Sequence, residues 1–221
     1  MTAQRAVLAL KLALWVGALA PGIRLVHGVL TGGLGANPIE MLTHWTGMTA
    51  LVLLMITLSI TPLRRTTGWN PIIRLRRPVG LFAFFYALAH FGIWFVFDMV
   101  FNVRWMLDDI AERRFITVGM AALLVLVPLA VTSTRGWIRR LGKRWGKLHR
   151  GVYVAATLGV VHYYWLVKAD VRLPLAFAAG LAVLLVARHP RFAAPRPAPG
   201  GGRSAAQREE DDVDAERVRI G

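Results

Sequence analysis

The chain contains no cysteine. That excludes a disulfide framework, a thiolate metal site, an iron–sulfur cluster and any covalent attachment through a thiol. Acidic residues are scarce, with 12 Asp and Glu against 27 Lys and Arg and a formal net charge of +15. Phosphate-cradling glycine motifs are also lacking: Gly32, Gly33 and Gly35 have neither a preceding strand nor a following Lys-Ser/Thr, and read as a turn. No internal repeat is evident. Beyond His189 the sequence turns to Pro, Gly and Arg and then to the acidic run Glu209 to Asp214. With so few apolar residues, 189–221 is expected to be a disordered tail, leaving no room for a flavin or nicotinamide domain.

What the chain has in abundance is apolar sequence in long runs, at 56% hydrophobic residues. A helix needs about 20 such residues to cross a hydrocarbon core of roughly 30 Å, where the backbone must satisfy its own hydrogen bonds. Six segments qualify: Ala6 to Leu30, Thr43 to Thr61, Pro78 to Val100, Phe115 to Thr132, Gly151 to Val167 and Leu173 to Ala187. The first is too long for a signal-peptide core and lacks a small-residue cleavage site, so it reads as a retained helix.

Between Pro62 and Arg77 lie Arg64, Arg65, Arg74, Arg76 and Arg77, and between Ser133 and Arg150 lie Arg135, Arg139, Arg140, Lys143, Arg144, Lys147 and Arg150, with no acid in either loop. The remaining loops mix Arg104, Arg113, Arg114, Lys168 and Arg172 with Glu40, Asp98, Asp108, Asp109, Glu112 and Asp170. By the positive-inside rule the two basic loops and both termini are cytoplasmic. The expected fold is therefore an all-α integral membrane protein, a six-helix transmembrane bundle over 1–188 with a cytoplasmic tail. Topology and anionic lipid account for the positive charge, so no nucleic-acid partner is expected.

Of the six histidines, His90 and His162 are the sharpest, because each lies well inside an apolar segment where an ionisable side chain needs a partner. Each is about 12 residues, or roughly 18 Å, from the cytoplasmic end of its helix. Two imidazoles at equal depth on different helices suit the axial ligation of one haem iron, held non-covalently inside a bundle. The alternative is that each merely hydrogen-bonds a neighbouring helix.

His149 precedes His162 by 13 residues, roughly 20 Å on a helix, which would suit a second haem layer. An ideal helix would set the two side chains about 140° apart, so a shared face requires a bulge or a bent helix start. The positions before His90 that would supply a partner hold Arg76 and Arg77. Otherwise His149 is an interfacial histidine among snorkelling basic residues. His44 opens the second segment on the outside; it suits ligation, a quinone's oxygen, or the aromatic belt with Trp45. Arg24, towards the outer end of the first segment, suits a haem propionate or flavin phosphate, or snorkels to headgroups. The Arg74, Arg76, Arg77 cluster would suit a phosphate-bearing cofactor, although topology alone explains it. His27 and His189 lie near membrane borders and read as structural.

The segments Gly33 to Pro38, His44-Trp45-Thr46-Gly47, Ile60 to Arg64, Arg76 to Leu81, Leu141 to Trp145, Leu148 to Tyr153 and His162 to Trp165 resemble the MsrQ (YedZ) family, in order, from about Leu14 to Arg188. That family is related to the transmembrane domain of ferric reductases and NADPH oxidases. The resemblance implies a haem-binding subunit in the bacterial inner membrane, passing electrons from respiratory quinones through b-type haem, with FMN, to periplasmic MsrP. MsrP is the molybdopterin enzyme that reduces methionine sulfoxide in oxidised periplasmic proteins. By position His90, His149 and His162 match the family's proposed haem ligands, and His44 matches another recurring histidine. Oxidase relatives carry two histidines on each of two helices, where this chain has Arg76 or Arg77 on one. The competing readings are a secondary transporter or proton or ion pathway using intramembrane His and Arg, and a ferric or cupric reductase.

Overall fold

The computed structural model describes residues 3–188. The tail and His189 lie outside them. The described residues contain nine α-helices: α1 (Ala3–Thr31), α2 (Pro38–Thr67), α3 (Arg76–Ile93), α4 (Val103–Glu112), α5 (Arg114–Val131), α6 (Arg135–Leu141), α7 (Lys143–Leu148), α8 (Gly151–Leu166) and α9 (Arg172–Val186). A 3-10 segment, Asn70–Leu75, leads into α3, and a π turn, Trp94–Asp98, extends it.

Four helical spans are long and apolar enough to cross a membrane: Leu8–Thr31, Pro38–Thr67, Asn70–Asp98 and Arg114–Val131. The fifth and sixth expected spans appear as α8 and α9, of 16 and 15 residues. At 1.5 Å per residue they reach about 24 and 22 Å, shorter than a full hydrocarbon core. Both nevertheless pack into the same bundle, α8 chiefly on α5 and α9 on α8 and α2.

The helix starts follow from local chemistry. Asn37 caps α2 by accepting from the Glu40 amide at 3.3 Å, its own amide donates to Glu40 Oε2 at 2.8 Å, and Pro38 supplies a first-turn residue with no N–H to satisfy. Gly68, at φ 66°, ends the helix in the left-handed region. The hydroxyls of Thr46 and Thr57 return to their own helix, to Leu42 O and Leu53 O, so they cost little in lipid, whereas that of Thr61 is buried with no partner among the described residues.

The tightest packing lies where α2, α3 and α8 meet. Leu58, Val79, Ala83, Ala155 and Ala156 have no measurable exposure. Lipid is as apolar as leucine, so small residues that let backbones approach hold such helices together. The outward faces carry exposed apolar residues such as Val16, Ile23, Leu30, Phe85, Leu124 and Val183.

Helix α1 is peripheral, and a hydroxyl bridge from α3 helps to hold it. Pro21 interrupts its hydrogen-bond ladder, and the Tyr86 hydroxyl inserts beside it, accepting from the Gly22 amide at 2.9 Å and donating to Ala18 O at 2.6 Å. Tyr86 lies one turn before His90 on α3, so the kink of α1 is tied to the helix carrying that imidazole.

Candidate functional site

An imidazole deep in an apolar helix must find an acceptor for one ring nitrogen. His90 Nδ1 meets the carbonyl of Thr43 at 2.9 Å, and His162 Nδ1 meets that of Phe115 at 2.6 Å. Each carbonyl already belongs to the ladder of its own helix, α2 or α5. The residue four positions on would ordinarily point its Cβ back over that carbonyl. In both helices that residue is glycine, Gly47 and Gly119. A Cβ at Gly47 would stand 2.9 Å from His90 Nδ1 and Cε1, and one at Gly119 would stand 2.6 Å from His162 Nδ1 and 2.8 Å from Cε1. The missing side chains thus open both carbonyls to a facing ring.

The two arrangements are copies of one another. Carbonyl acceptor and histidine are 47 residues apart in each, and adding 72 to Thr43, Gly47 and His90 gives Phe115, Gly119 and His162. Helices α2 and α3 pack as one hairpin and α5 and α8 as the other. The structure therefore contains a repeat that the sequence does not display. The halves run in the same direction and converge on two imidazoles whose ring centroids are 6.0 Å apart.

That separation permits a test for haem. Two imidazoles on either side of one metal ion, each bonded at about 2 Å, would place their centroids about 6 Å apart. With Nδ1 engaged by a carbonyl, Nε2 is the remaining nitrogen on each ring, the arrangement in which a second partner fixes tautomer and orientation of a metal-binding histidine. Neutral nitrogen donors in an apolar bundle suit haem iron. The His90 and His162 pair therefore fits the group.

The other residues singled out from sequence fall into two places. At the end of the bundle where α2 begins, the Arg24 guanidinium lies 5.2 Å over the Trp45 ring, His44 follows Thr43 directly, and His27 is exposed one turn from Arg24. Arg24 and His44 are therefore neighbours of the His90 anchor. At the other end, His149 closes α7 and the chain turns at Arg150 before α8 starts, so His149 and His162 do not lie on one continuous helix and the ideal-helix offset does not apply. His149 stacks on Trp145 at 3.9 Å, its Nδ1 meets Trp145 O at 3.2 Å, and its Nε2 is buried with no hydrogen-bond partner among the described residues. In the repeat its counterpart is Arg77, which is exposed. The other described histidines off the central pair, His27 and His44, are at the opposite end, so His149 has no histidine facing it among the described residues.

Sequence reasoning missed Gly47, Gly119 and the carbonyls of Thr43 and Phe115. Their signal was the shared spacing of glycine and histidine in two segments, which becomes legible only once the hairpins are known.

Comparisons with known proteins place the chain among membrane components of known families. The family described as "Ferric reductase like transmembrane component" matches residues 46–160, which include Gly47, His90, Gly119 and His149. The chain is 52% identical over 182 residues to the protein-methionine-sulfoxide reductase heme-binding subunit MsrQ of Herminiimonas arsenicoxydans, covering 81% of this chain and 84% of that one. It is 49% identical to the subunit of the same name from Ralstonia nicotianae, covering 80% and 83%. Against that of Rhodospirillum rubrum it is 50% identical, covering 80% and 86%.

Proposed function

The chain belongs to the MsrQ family of ferric-reductase-like membrane proteins, and we propose that it is a haem-holding electron-transfer subunit of the bacterial inner membrane, taking electrons from respiratory quinols and delivering them to periplasmic MsrP. The observation that carries this reading is the pair of carbonyl-anchored imidazoles, 6.0 Å apart, on two like hairpins. His90 and His162 would hold one b-type haem through their free ring nitrogens. Bound there, haem supplies a one-electron redox centre in a water-poor interior.

The remaining assignments follow from position. Six spans with both termini cytoplasmic put Thr43, His44 and Arg24 on the periplasmic side of the pair. His44 offers an imidazole to the oxygen of a quinol or to the partner's approach, and Arg24 offers a guanidinium to a haem propionate. On the cytoplasmic side, His149 presents a nitrogen, unpartnered among the described residues, for a second haem whose other ligand is none of the described histidines, and Arg77 is a cation for the phosphate of FMN. Reduction of methionine sulfoxide is assigned to MsrP, with this chain as its electron donor.

The second reading, a ferric or cupric reductase, is favoured by the description of the matching family. Stopped-flow oxidation of the quinol-reduced, haem-loaded protein separates the two. Rapid reoxidation by purified MsrP, with little by chelated Fe(III) at equal concentration, is expected. The reverse order would replace the MsrP assignment with metal reduction, and no reduction by quinol would remove the donor.

A further inference from the structure

The inner end of the bundle carries a charge that the described residues leave uncompensated. Arg188, at the end of α9, turns its guanidinium back into the bundle. It donates to Leu58 O at 2.5 Å and to the Tyr153 hydroxyl, and lies 4.9 Å over the Tyr153 ring. Its Nε is buried and has no partner among the described residues. Carbonyls, a phenol and a ring face satisfy hydrogens but bring no negative charge. Arg76 and Arg65 stand near enough that their charges act against its own.

Among the described residues the ion pairs are Arg113 with Asp109 and Arg172 with Asp170, both in the loops of the other face. A half-buried cation beside two more, with no carboxylate near among the described residues, suits an external anion.

Next to this cluster runs an apolar groove between α2 and α9. It has a volume of about 500 Å³ and is lined by Pro62, Arg65 and Thr66 on one side and Ala182, Val183, Val186 and Ala187 on the other. It opens on the outer surface of the bundle, where lipid lies. Arg65 is its only charged lining residue and stands at its inner end. There the guanidinium reaches Ala187 O at 3.5 Å and Arg188 O at 3.4 Å, contacts long enough to yield to a better acceptor.

We propose that this groove is a binding site for an anionic phospholipid, with the acyl chain between α2 and α9 and the phosphate beside Arg65, in the positive field of Arg188 and Arg76. An apolar channel capped by cations is complementary to a lipid with a negative head, and a phosphate accepts from a guanidinium more strongly than a carbonyl does. A soluble phosphate ester has nothing to place in the channel, and a zwitterionic lipid brings a cation of its own into the cluster.

The test uses the full chain in nanodiscs of phosphatidylcholine alone or with a quarter phosphatidylglycerol, with melting followed by tryptophan fluorescence. The anionic discs should raise the Tm by about 4 °C. Arg65→Gln should abolish that rise, whereas Arg144→Gln, an exposed arginine of the same face outside the groove, should keep it. Should Arg65→Gln melt early even in phosphatidylcholine, Val183→Trp at an exposed position blocks the channel while keeping every charge, and it too should lose the rise. Equal Tm values in the two lipids would overturn the site, as would a full response in both variants. A rise reproduced by glycerol phosphate in phosphatidylcholine discs would assign the cations to a soluble ester and overturn the lipid.

Discussion

Each imidazole of the central pair is fixed by a carbonyl and by the absence of a side chain over it. His90 and His162 were legible in the sequence because an ionisable residue amid uninterrupted apolar ones is expensive enough to demand a purpose. Gly47 and Gly119 were not, since glycine is common in membrane helices and its meaning depends on which ring faces it. The glycine contacts carry the first prediction. A Cβ 2.6 Å from His162 Nδ1 cannot be accommodated without moving the ring, so Gly119→Ala should break the bond to Phe115 O. Loss of such an orienting bond lowers retention of the bound group by about tenfold or more. Gly47→Ala, with its closest approach at 2.9 Å, should act in the same direction and less severely. Haem content per protein after purification, set against an unchanged helical circular dichroism spectrum, measures both; full haem content in Gly119→Ala would show that the ring does not need its carbonyl.

At the scale of elements, long apolar runs located six helical segments, closely for Gly151 to Val167 against α8 at Gly151–Leu166 and five and six residues short for Thr43 to Thr61 against α2 at Pro38–Thr67, while four spans are long and apolar enough among the described residues to cross a membrane. The short pieces between them escaped notice. Helices α4, α6 and α7 and the π turn depend on caps such as Asn102 and Thr134 and on a single glycine, features that carry no long-range pattern. Gly142 is that glycine, at φ 49° and ψ −123°, joining α6 to α7. The turn after it brings His149 to the start of α8, and a sequence reading that assumes one straight helix through His149 and His162 misses it.

The contact between α1 and α3 is predicted at the same scale. Tyr86→Phe leaves the Gly22 amide and Ala18 carbonyl without the hydroxyl that bridges them, at a cost of about 2 kcal/mol, because lipid offers no replacement. Reversible unfolding in mixed micelles should show that loss, while the spectrum of the bound haem stays close to that of the parent protein. Undiminished stability would mean that α1 closes its own ladder when the hydroxyl is gone.

For the whole molecule, charge distribution and hydropathy supplied the class, a helical membrane protein, and the matching family agrees with it. The repeat stayed hidden because its halves share little beyond the carbonyl position, the glycine and the histidine. Sequence similarity decays where any apolar residue serves, whereas a ring packed on a bare helix turn tolerates few alternatives. The repeat also explains why the paired site lies between the hairpins: two like units, each presenting one imidazole, meet face to face. The inner layer is not symmetric in the same way, as His149 in one half corresponds to exposed Arg77 in the other. The account's central claim is that this paired site is the haem site. Reduced-minus-oxidised visible spectra of the full chain, produced with haem supplied and compared with His90→Ala, His162→Ala and His44→Ala, test it most directly. Loss of the same sharp α-band in both His90→Ala and His162→Ala, with its retention in His44→Ala, is the expected result; a parental spectrum in either of the first two variants would contradict the account.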